Sequence, residues 1–472
     1  MITMFFLTKI AGVLDLLLSN KNMFSYTKKI AKHIICSPPL SVEILNRDSE
    51  FFKYFDKAIQ NWALSQSDFF SEGDWREIQL RKLKNILAHA GKNVPYWQKL
   101  FKKINFNPEN FRDFCDLQKI PIITRGEIKK ISVEELTALN ISRWRFKEAV
   151  TSGSTGEPLK FYQDLRDNLR REVNTFHELR YAGASYRDHI AVLGLDNHQD
   201  LDNFGKRFSS IEWGESKFRQ FVIYPYLKLE PAVLIANGSD LRRFLFLTRQ
   251  EAPDAIFKTL MYRGEHISKS ERSNISRFFK CPIFTCYGSR ETSLLGIECG
   301  NHKLHLAPWM NYFEVVSESG QTVLDGCEGD VVVTFFENFA MPFIRYKIGD
   351  KATISTESCL CGRKSKTITL YGRESEFIKF PGSNKSISVL DLMWYIDNNC
   401  HQEIRQYQFE LRSEKLIVFR YVPNLSVSET GKKRLSGLLE DALERQFHVI
   451  LEEVAVINPS ANGKTPILIR NL

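Results

Sequence analysis

The residues best equipped for chemistry in this 472-residue chain form one hydroxyl-rich loop, Thr151-Ser-Gly-Ser-Thr-Gly-Glu-Pro-Leu-Lys160. The side chains of Thr151, Ser152, Ser154 and Thr155 supply neutral donors, and Gly153 and Gly156 punctuate them. Glycine reaches backbone angles closed to other residues, so successive N–H groups can converge on one anion. With Lys160 adding positive charge, the loop suits the phosphates of a nucleotide. It is not the common phosphate loop, in which four residues separate the glycines and lysine directly follows the second. A polar turn between two strands is the competing reading, and the rest of the chain has to decide between them.

Four further stretches bear on that decision. In Cys286-Tyr-Gly-Ser-Arg-Glu-Thr292 an apolar strand ends in a turn at Gly288, exposing Tyr287, Arg290 and Glu291. Open α/β sheets bind ligands at such strand ends. Glu291 is a hard oxygen donor suited to Mg²⁺ beside phosphates, and Tyr287 can face a purine ring. Phe343-Ile-Arg-Tyr-Lys-Ile-Gly-Asp350 delivers one carboxylate after a glycine, able to receive two sugar hydroxyls. Tyr371-Gly-Arg373 opens a stretch to Gly382 where the main body ends, and the tail Ser460–Arg470 sets Lys464 on a turn. Taken singly, each is weak: a strand-end turn with a surface ion pair and a solvated lysine explain them as well.

Cysteine and histidine suggest a second site. Cys299 and His305 precede Cys359-Leu-Cys361, and two thiols one residue apart can hold one ion. Together they make a tetrahedral Cys₃His zinc set, with His302 as the alternative fourth ligand. Buried free cysteines are the plain alternative.

Taken together, in this order and at these intervals, the five stretches resemble the adenylate-forming superfamily. The resemblance is to phenylacetate–coenzyme A ligase and its relatives encoded with capsule and other surface-polysaccharide genes, over about residues 75–470. It implies that Thr151–Gly156 holds the β- and γ-phosphates of ATP, Glu291 binds Mg²⁺, Tyr287 lies near adenine, and Asp350 with Arg373 holds the ribose. Lys464 would then reach in from the small domain to the α-phosphate and the carboxylate. The implied reaction is attack of a small-molecule carboxylic acid on ATP, giving an acyl-adenylate and pyrophosphate. The acyl group then passes to coenzyme A or to an amine or hydroxyl, as in surface-polysaccharide assembly. Such an attack needs alignment and charge neutralisation rather than a nucleophilic relay. Some members carry a comparable structural zinc. Two departures stand out: Arg290 occupies the place where the superfamily commonly has Thr, and Ser375-Glu376 replaces the usual acidic pair at the hinge. A silent nucleotide-binding scaffold of the same fold is the alternative function.

The elements that must carry these residues read as an α/β protein, a large multi-sheet adenylation domain followed by a small α+β lid. The expected divisions are a helical extension over 1–75, the body over 76–372 and the mobile unit over 373–472. Ile78, Leu80, Leu83, Ile86 and Leu87 recur at helical spacing in a helix opening at Asp74-Trp75 and ending at Asn93-Val-Pro-Tyr96. Thr124 is placed to cap a helix from Arg125. Helices over 168–181, 241–248 and 268–279 alternate with apolar strands at 190–193, 254–258 and 282–286. Residues 196–230 read as loop-rich. Beyond 373, residues 406–411 and 415–420 read as a hairpin and 431–447 as a helix.

Composition sets the outer limits. A hydrophobic share of 43% with 35 Phe describes a well-packed globular chain. The net charge of +9 is scattered, without a basic tract, and argues against nucleic-acid binding. Nine irregularly spaced cysteines favour reduced thiols in a cytoplasm. The apolar residues within 1–20 are broken by Lys9 and Asp15, which excludes a confident membrane span. That stretch reads as an amphipathic helix packed on the body, with peripheral contact to a membrane as the second reading.

Overall fold

The computed structural model describes residues 23–36, 60, 62–151, 158–184, 188, 190–193, 208–211, 233–251, 257–267, 269–383, 385–400, 404–423, 426–458 and 465–471. The expected helix at 1–20, most of 196–230, the loop tip 152–157 and Lys464 lie outside the described residues.

The N-terminal part is helical. Helix α1 (Met23–Cys36) packs on α2 (Glu72–Asn93), which opens two residues earlier than Asp74. Ser71 is the cause: its hydroxyl accepts from the Asp74 N–H while the Asp74 carboxylate accepts from the Ser71 N–H, a reciprocal cap. The same carboxylate binds Lys28 and Lys32 of α1. Burial acts to raise the Asp74 carboxyl, but the two ammonium groups and Ser71 outweigh it and hold it far below the usual carboxylate range. A folded pKa below the unfolded one gives stability that is fully present above ~4 and is lost as pH falls through the folded value. Protease cleavage between α1 and α2 is therefore expected to accelerate in strongly acidic buffer, and Asp74→Asn should bring that susceptibility to neutral pH.

Helix α2 is fixed to the body by one buried ion pair. Lys82 binds Glu337 and donates to the Trp309 carbonyl at 2.8 Å, and Arg170 lies 3.5 Å from the same glutamate. Around it Leu83, Leu87, Trp97 and Phe101 join Phe335, Phe343 and Tyr346 in the largest core cluster. Strand β1 (Ile123–Thr124) leads into α3 (Arg125–Lys130), which Thr124 caps with Glu127 as expected.

The body is one continuous sheet with two characters. Strands β2 (Lys147–Val150) and β3 (Lys160–Gln163) form a separate antiparallel hairpin carrying the hydroxyl-rich loop. Helix α4 (Leu165–Tyr181) follows. Next come β4 (Ile190–Leu193), β5 (Phe208–Ile211), β6 (Val233–Asn237), β7 (Thr259–Arg263) and β8 (Ile283–Ser289), in parallel order β5-β4-β6-β7-β8. Helices α5 (Gly238–Glu251) and α6 (Lys269–Phe279) cross between them. This is the expected alternation, except that the strand expected at 254–258 lies at Thr259–Arg263. Leu260 and Met261 are fully buried there, whereas Lys258 is exposed and bound to Asp188.

Past β8 the sheet turns antiparallel, which the sequence reading did not anticipate. Strands β9 (Ser293–Glu298), β10 (Leu304–Leu306), β11 (Asn311–Val316), β12 (Gly329–Phe335), β13 (Tyr346–Ser355) and β14 (Thr367–Arg373) continue it in the order β8-β9-β10-β14-β13-β12-β11. Every residue of β12 is buried, so it lacks the alternation that identifies a half-exposed strand.

A small hairpin, β15 (Phe377–Lys379) with β16 (Ser386–Ser388), follows. The C-terminal part builds its own core from Ile378, Leu392, Phe409, Phe419, Leu439 and neighbours. Helices α7 (Val389–Cys400) and α8 (Glu429–Ala442) flank a sheet of β17 (Ile404–Ser413), β18 (Leu416–Pro423), β19 (His448–Glu453) and β20 (Leu468–Arg470). The hairpin of β17 and β18 is as expected, and the helix ends at Ala442, short of Phe447. No helix among the described residues is long and apolar enough to cross a membrane.

Candidate active site

The body sequence stretches singled out above converge on one edge of the sheet. Asp350 on β13 is paired in register with Arg373 on β14, and their side chains lie 3.4 Å apart. The Tyr287 hydroxyl, reaching from β8, donates to Asp350 at 2.7 Å. Tyr346, four residues before Asp350, donates its hydroxyl to Glu291 at 3.2 Å. Two buried carboxylates, two buried tyrosines and a half-exposed guanidinium, from three strands and the β8–β9 turn, thus share one patch, although 63 residues separate Tyr287 from Asp350.

Burial sets the electrostatics of that patch. It raises the Asp350 carboxyl, against the pull of Arg373 and Tyr287. Burial and then the neighbouring Asp350 charge push the Tyr287 phenol well above its ordinary value, and burial with Glu291 does the same to Tyr346. Both phenols remain protonated donors. Burial works against the Arg373 charge, yet the carboxylates of Asp350, Glu376 and Glu291 prevail and raise its pKa.

The hydroxyl-rich loop is held at both feet. The Thr151 N–H donates to the Leu159 carbonyl, and the Leu159 N–H donates to the Thr151 hydroxyl, both at 2.9 Å. Arg125 at the start of α3 donates to the same hydroxyl at 2.7 Å. Arg290 donates to the Val150 carbonyl at 2.9 Å, so the turn after β8 touches the strand entering the loop. Arg171 of α4 donates to the Arg290 carbonyl at 2.8 Å. The described feet of the loop are therefore tethered beside Arg290; Ser152, Gly153, Ser154, Thr155 and Gly156 lie outside the described residues. Lys160 departs from expectation: across the hairpin it forms a 2.7 Å pair with Glu148 and sits over the Tyr162 ring, which leaves it on the hairpin surface.

Gly288 has a steric reason. A Cβ there would lie 2.8 Å from the Ser293 carbonyl oxygen, inside contact distance, so the β8–β9 turn admits no side chain without moving. At the junction, Gly372 has φ +108° and Glu376 accepts from the Arg373 N–H at 2.9 Å. Sequence reasoning gave no site role to Arg125, Arg171 or Tyr346. Tyr346 stood inside a quoted stretch, while the other two had no local signal; Glu376 was noted, in the pair that departs from the usual hinge.

The second constellation is also assembled. One donor atom each from Cys299, His305, Cys359 and Cys361 falls within 4.8 Å of the others. Cys299 Sγ and Cys359 Sγ are 3.7 Å apart, and Cys361 Sγ is 3.3 Å from His305 Nε2. A tetrahedral zinc ion with ligands near 2.0–2.3 Å needs such separations, about 3.8 Å between sulfurs and about 3.6 Å between sulfur and nitrogen. The other His305 nitrogen, Nδ1, lies 3.0 Å from the Ser365 carbonyl, the outer contact that fixes a ligating imidazole. His302, the alternative fourth ligand, instead lies 2.9 Å from Glu298 and contacts Arg272. Cys36, Cys115, Cys281, Cys286, Cys299, Cys327, Cys359 and Cys361 are all free of disulfides.

Comparison with known proteins follows from this geometry. No protein-family model matches the chain. The phenylacetate-coenzyme A ligase of Escherichia coli (strain K12) is 24% identical over 360 residues, covering 71% of this chain and 79% of that protein. Protein CapK of Staphylococcus aureus is 19% identical over 428 residues, covering 84% and 90%. A 2-hydroxyisobutyryl-CoA ligase in the postadenylation state, in complex with R3-HIB-AMP, superposes with a TM-score of 0.74 at 15% identity, covering 86% and 91%. In an open conformation, with 2-HIB-AMP and CoA, the same ligase gives a TM-score of 0.61. The fold is that of this CoA ligase. In sequence the chain is similar to phenylacetate-coenzyme A ligases and to protein CapK.

Proposed function

We propose that the protein uses ATP to activate a carboxylic acid as an acyl-adenylate, releasing pyrophosphate, and then transfers the acyl group to an acceptor. The observation that carries this reading is the joining of Tyr287, Glu291, Asp350 and Arg373 beside the tethered feet of the hydroxyl-rich loop.

The roles follow from the chemistry of each group. Asp350 accepts the two ribose hydroxyls, with Arg373 holding its charge and Tyr287 orienting it while presenting a ring to the adenine. The backbone and hydroxyls of 151–156 take the β- and γ-phosphates. Glu291, oriented by Tyr346, is the oxygen ligand for Mg²⁺, which would neutralise phosphate charge as pyrophosphate leaves. Arg290, bonded to the Val150 carbonyl where the chain enters the loop, favours phosphate there. Lys464 aligns the acid carboxylate with the α-phosphate, and positioning of an already nucleophilic oxygen supplies the catalysis.

The C-terminal unit, 373–472, acts as a lid swinging at 372–376. The whole chain superposes on the postadenylation form of the hydroxyisobutyryl-CoA ligase with a TM-score of 0.74 and on its open form with 0.61, a difference that supports this reading. Coenzyme A is the acceptor its ligase relatives suggest, and an amine or hydroxyl acceptor in surface-polysaccharide assembly is the alternative. The deciding assay is ATP–pyrophosphate exchange over aryl, fatty and hydroxy acids. Acid-dependent exchange is expected, and its absence with every acid, together with no ATP binding, refutes the proposal.

Cys299, His305, Cys359 and Cys361 are proposed to hold a structural zinc ion clamping the 359–363 loop onto the β9–β10 hairpin. Elemental analysis should find about one zinc per chain, and chelation should lower the melting temperature. A metal-free preparation of undiminished stability removes the site.

A further inference from the structure

Beside the proposed nucleotide site lies a polar cluster that nucleotide binding leaves unused. Glu178 of α4, Arg263 at the end of β7 and Cys286 of β8 meet at the carboxyl ends of the parallel strands. Arg263 Nη2 donates to the Glu178 carboxylate, and the Cys286 thiol is within hydrogen-bonding reach of both. Deeper in the same layer the contacts are wholly apolar, among Leu179, Ala182, Val192, Ile235, Met261 and Phe284. Side chains two residues apart on a strand share a face. The steps from Met261 to Arg263 and from Phe284 to Cys286 therefore mark where an apolar floor becomes charged, one residue before Tyr287.

Stability alone does not explain an ion pair there, because apolar replacement of such pairs is often neutral or stabilising. Its hydrogen bonding is also incomplete. Arg263 Nε is buried and has no hydrogen-bond partner among the described residues. The Glu178 side chain is 5% exposed, but Arg263 keeps 24% of its surface accessible. A neutral pair is thus left with donors on one member and acceptor capacity on the other, at the mouth of the layer.

Resting on the reading of the protein as an acid-activating enzyme, we propose that Arg263 and Glu178 select an acid whose body carries a hydroxyl group. A hydroxyl accepts from the guanidinium and donates to the carboxylate, matching a pair without net charge. A plain hydrocarbon body would desolvate both charged groups and return no hydrogen bond. A second carboxylate would set like charge against Glu178.

The test is ATP–pyrophosphate exchange with acids that differ by one hydroxyl: 3-hydroxybutyrate against butyrate, 4-hydroxyphenylacetate against phenylacetate, and 3-hydroxybenzoate against benzoate. At least one hydroxylated acid is expected to exceed its partner in kcat/KM by roughly 10–100-fold, the worth of a hydrogen bond to a charged group. Arg263→Met should abolish that preference, the ratio of kcat/KM between the two acids falling to about one. Should Arg263→Met fail to fold, the near-isosteric Glu178→Gln carries the same comparison. Equal or better exchange with every plain acid in the unaltered protein overturns the inference but leaves acid activation standing. A preference that survives both variants also overturns it. No exchange with any acid refutes acid activation, and this inference falls with it.

Discussion

Lys464→Ala is expected to lower acyl-adenylate formation about 10²–10³-fold, the usual cost of removing one group that stabilises developing charge, while ATP affinity stays within about twofold. The structure anchors the turn carrying this lysine on both sides. Gln406 donates to the Ile457 carbonyl at 3.3 Å before it, and Gln408 to the Pro466 carbonyl at 2.7 Å after it. Beyond the turn, β20 pairs with β17, and Arg470 donates to the Ser375 and Phe377 carbonyls at the junction. The described residues on either side of 459–464 are thus fastened to the small sheet and to the junction, so the proposed lid motion would carry both flanks of Lys464 together. Rapid-quench measurement of adenylate formation, with calorimetric titration of ATP, separates the two quantities. Equal loss of both would mean that the tail shapes the nucleotide site and does not act in the chemical step. A protein with no adenylation before or after the change would be the silent scaffold.

The second large effect is expected at Asp350. Asp350→Asn keeps the shape but removes the charge that two ribose hydroxyls and Arg373 address. Hydrogen bonds to a charged group contribute about 1.5–3 kcal/mol each, so weakening both should raise the Kd for ATP roughly 100-fold. Because burial raises the Asp350 carboxyl in the free protein, nucleotide binding should also weaken as pH falls toward that raised value, at higher pH than an exposed aspartate would show. The variant should lose this pH dependence. Unchanged ATP affinity would exclude Asp350 from the site.

The sequence disclosed more of the site than of the sheet. Tyr287, Glu291 and Asp350 became candidates because each stands in a short stretch whose residue types suit one fragment of a nucleotide, while Arg290 and Arg373 owed their site roles to the resemblance alone. The antiparallel half from β9 to β14 was not, since its strands are defined by partners distant in the chain. Spacing alone does not link Asp350 to Arg373, which only the resemblance joined; register sets them side by side. His305 was the expected zinc ligand and His302 the alternative. The turn separates them, with φ +56° at His302 sending it toward Glu298 while His305 enters β10 beside the thiols. The Glu178–Arg263–Cys286 cluster was illegible for a similar reason: three elements supply one residue each, and no spacing links them.

The most direct test of the account is a crystal structure of the protein with ATP, Mg²⁺ and an exchange-competent acid. The account predicts the ribose hydroxyls on Asp350, the adenine against Tyr287, the metal on Glu291 and the β- and γ-phosphates within Thr151–Gly156. A nucleotide bound elsewhere, or density that leaves Asp350 and Glu291 untouched, would contradict it.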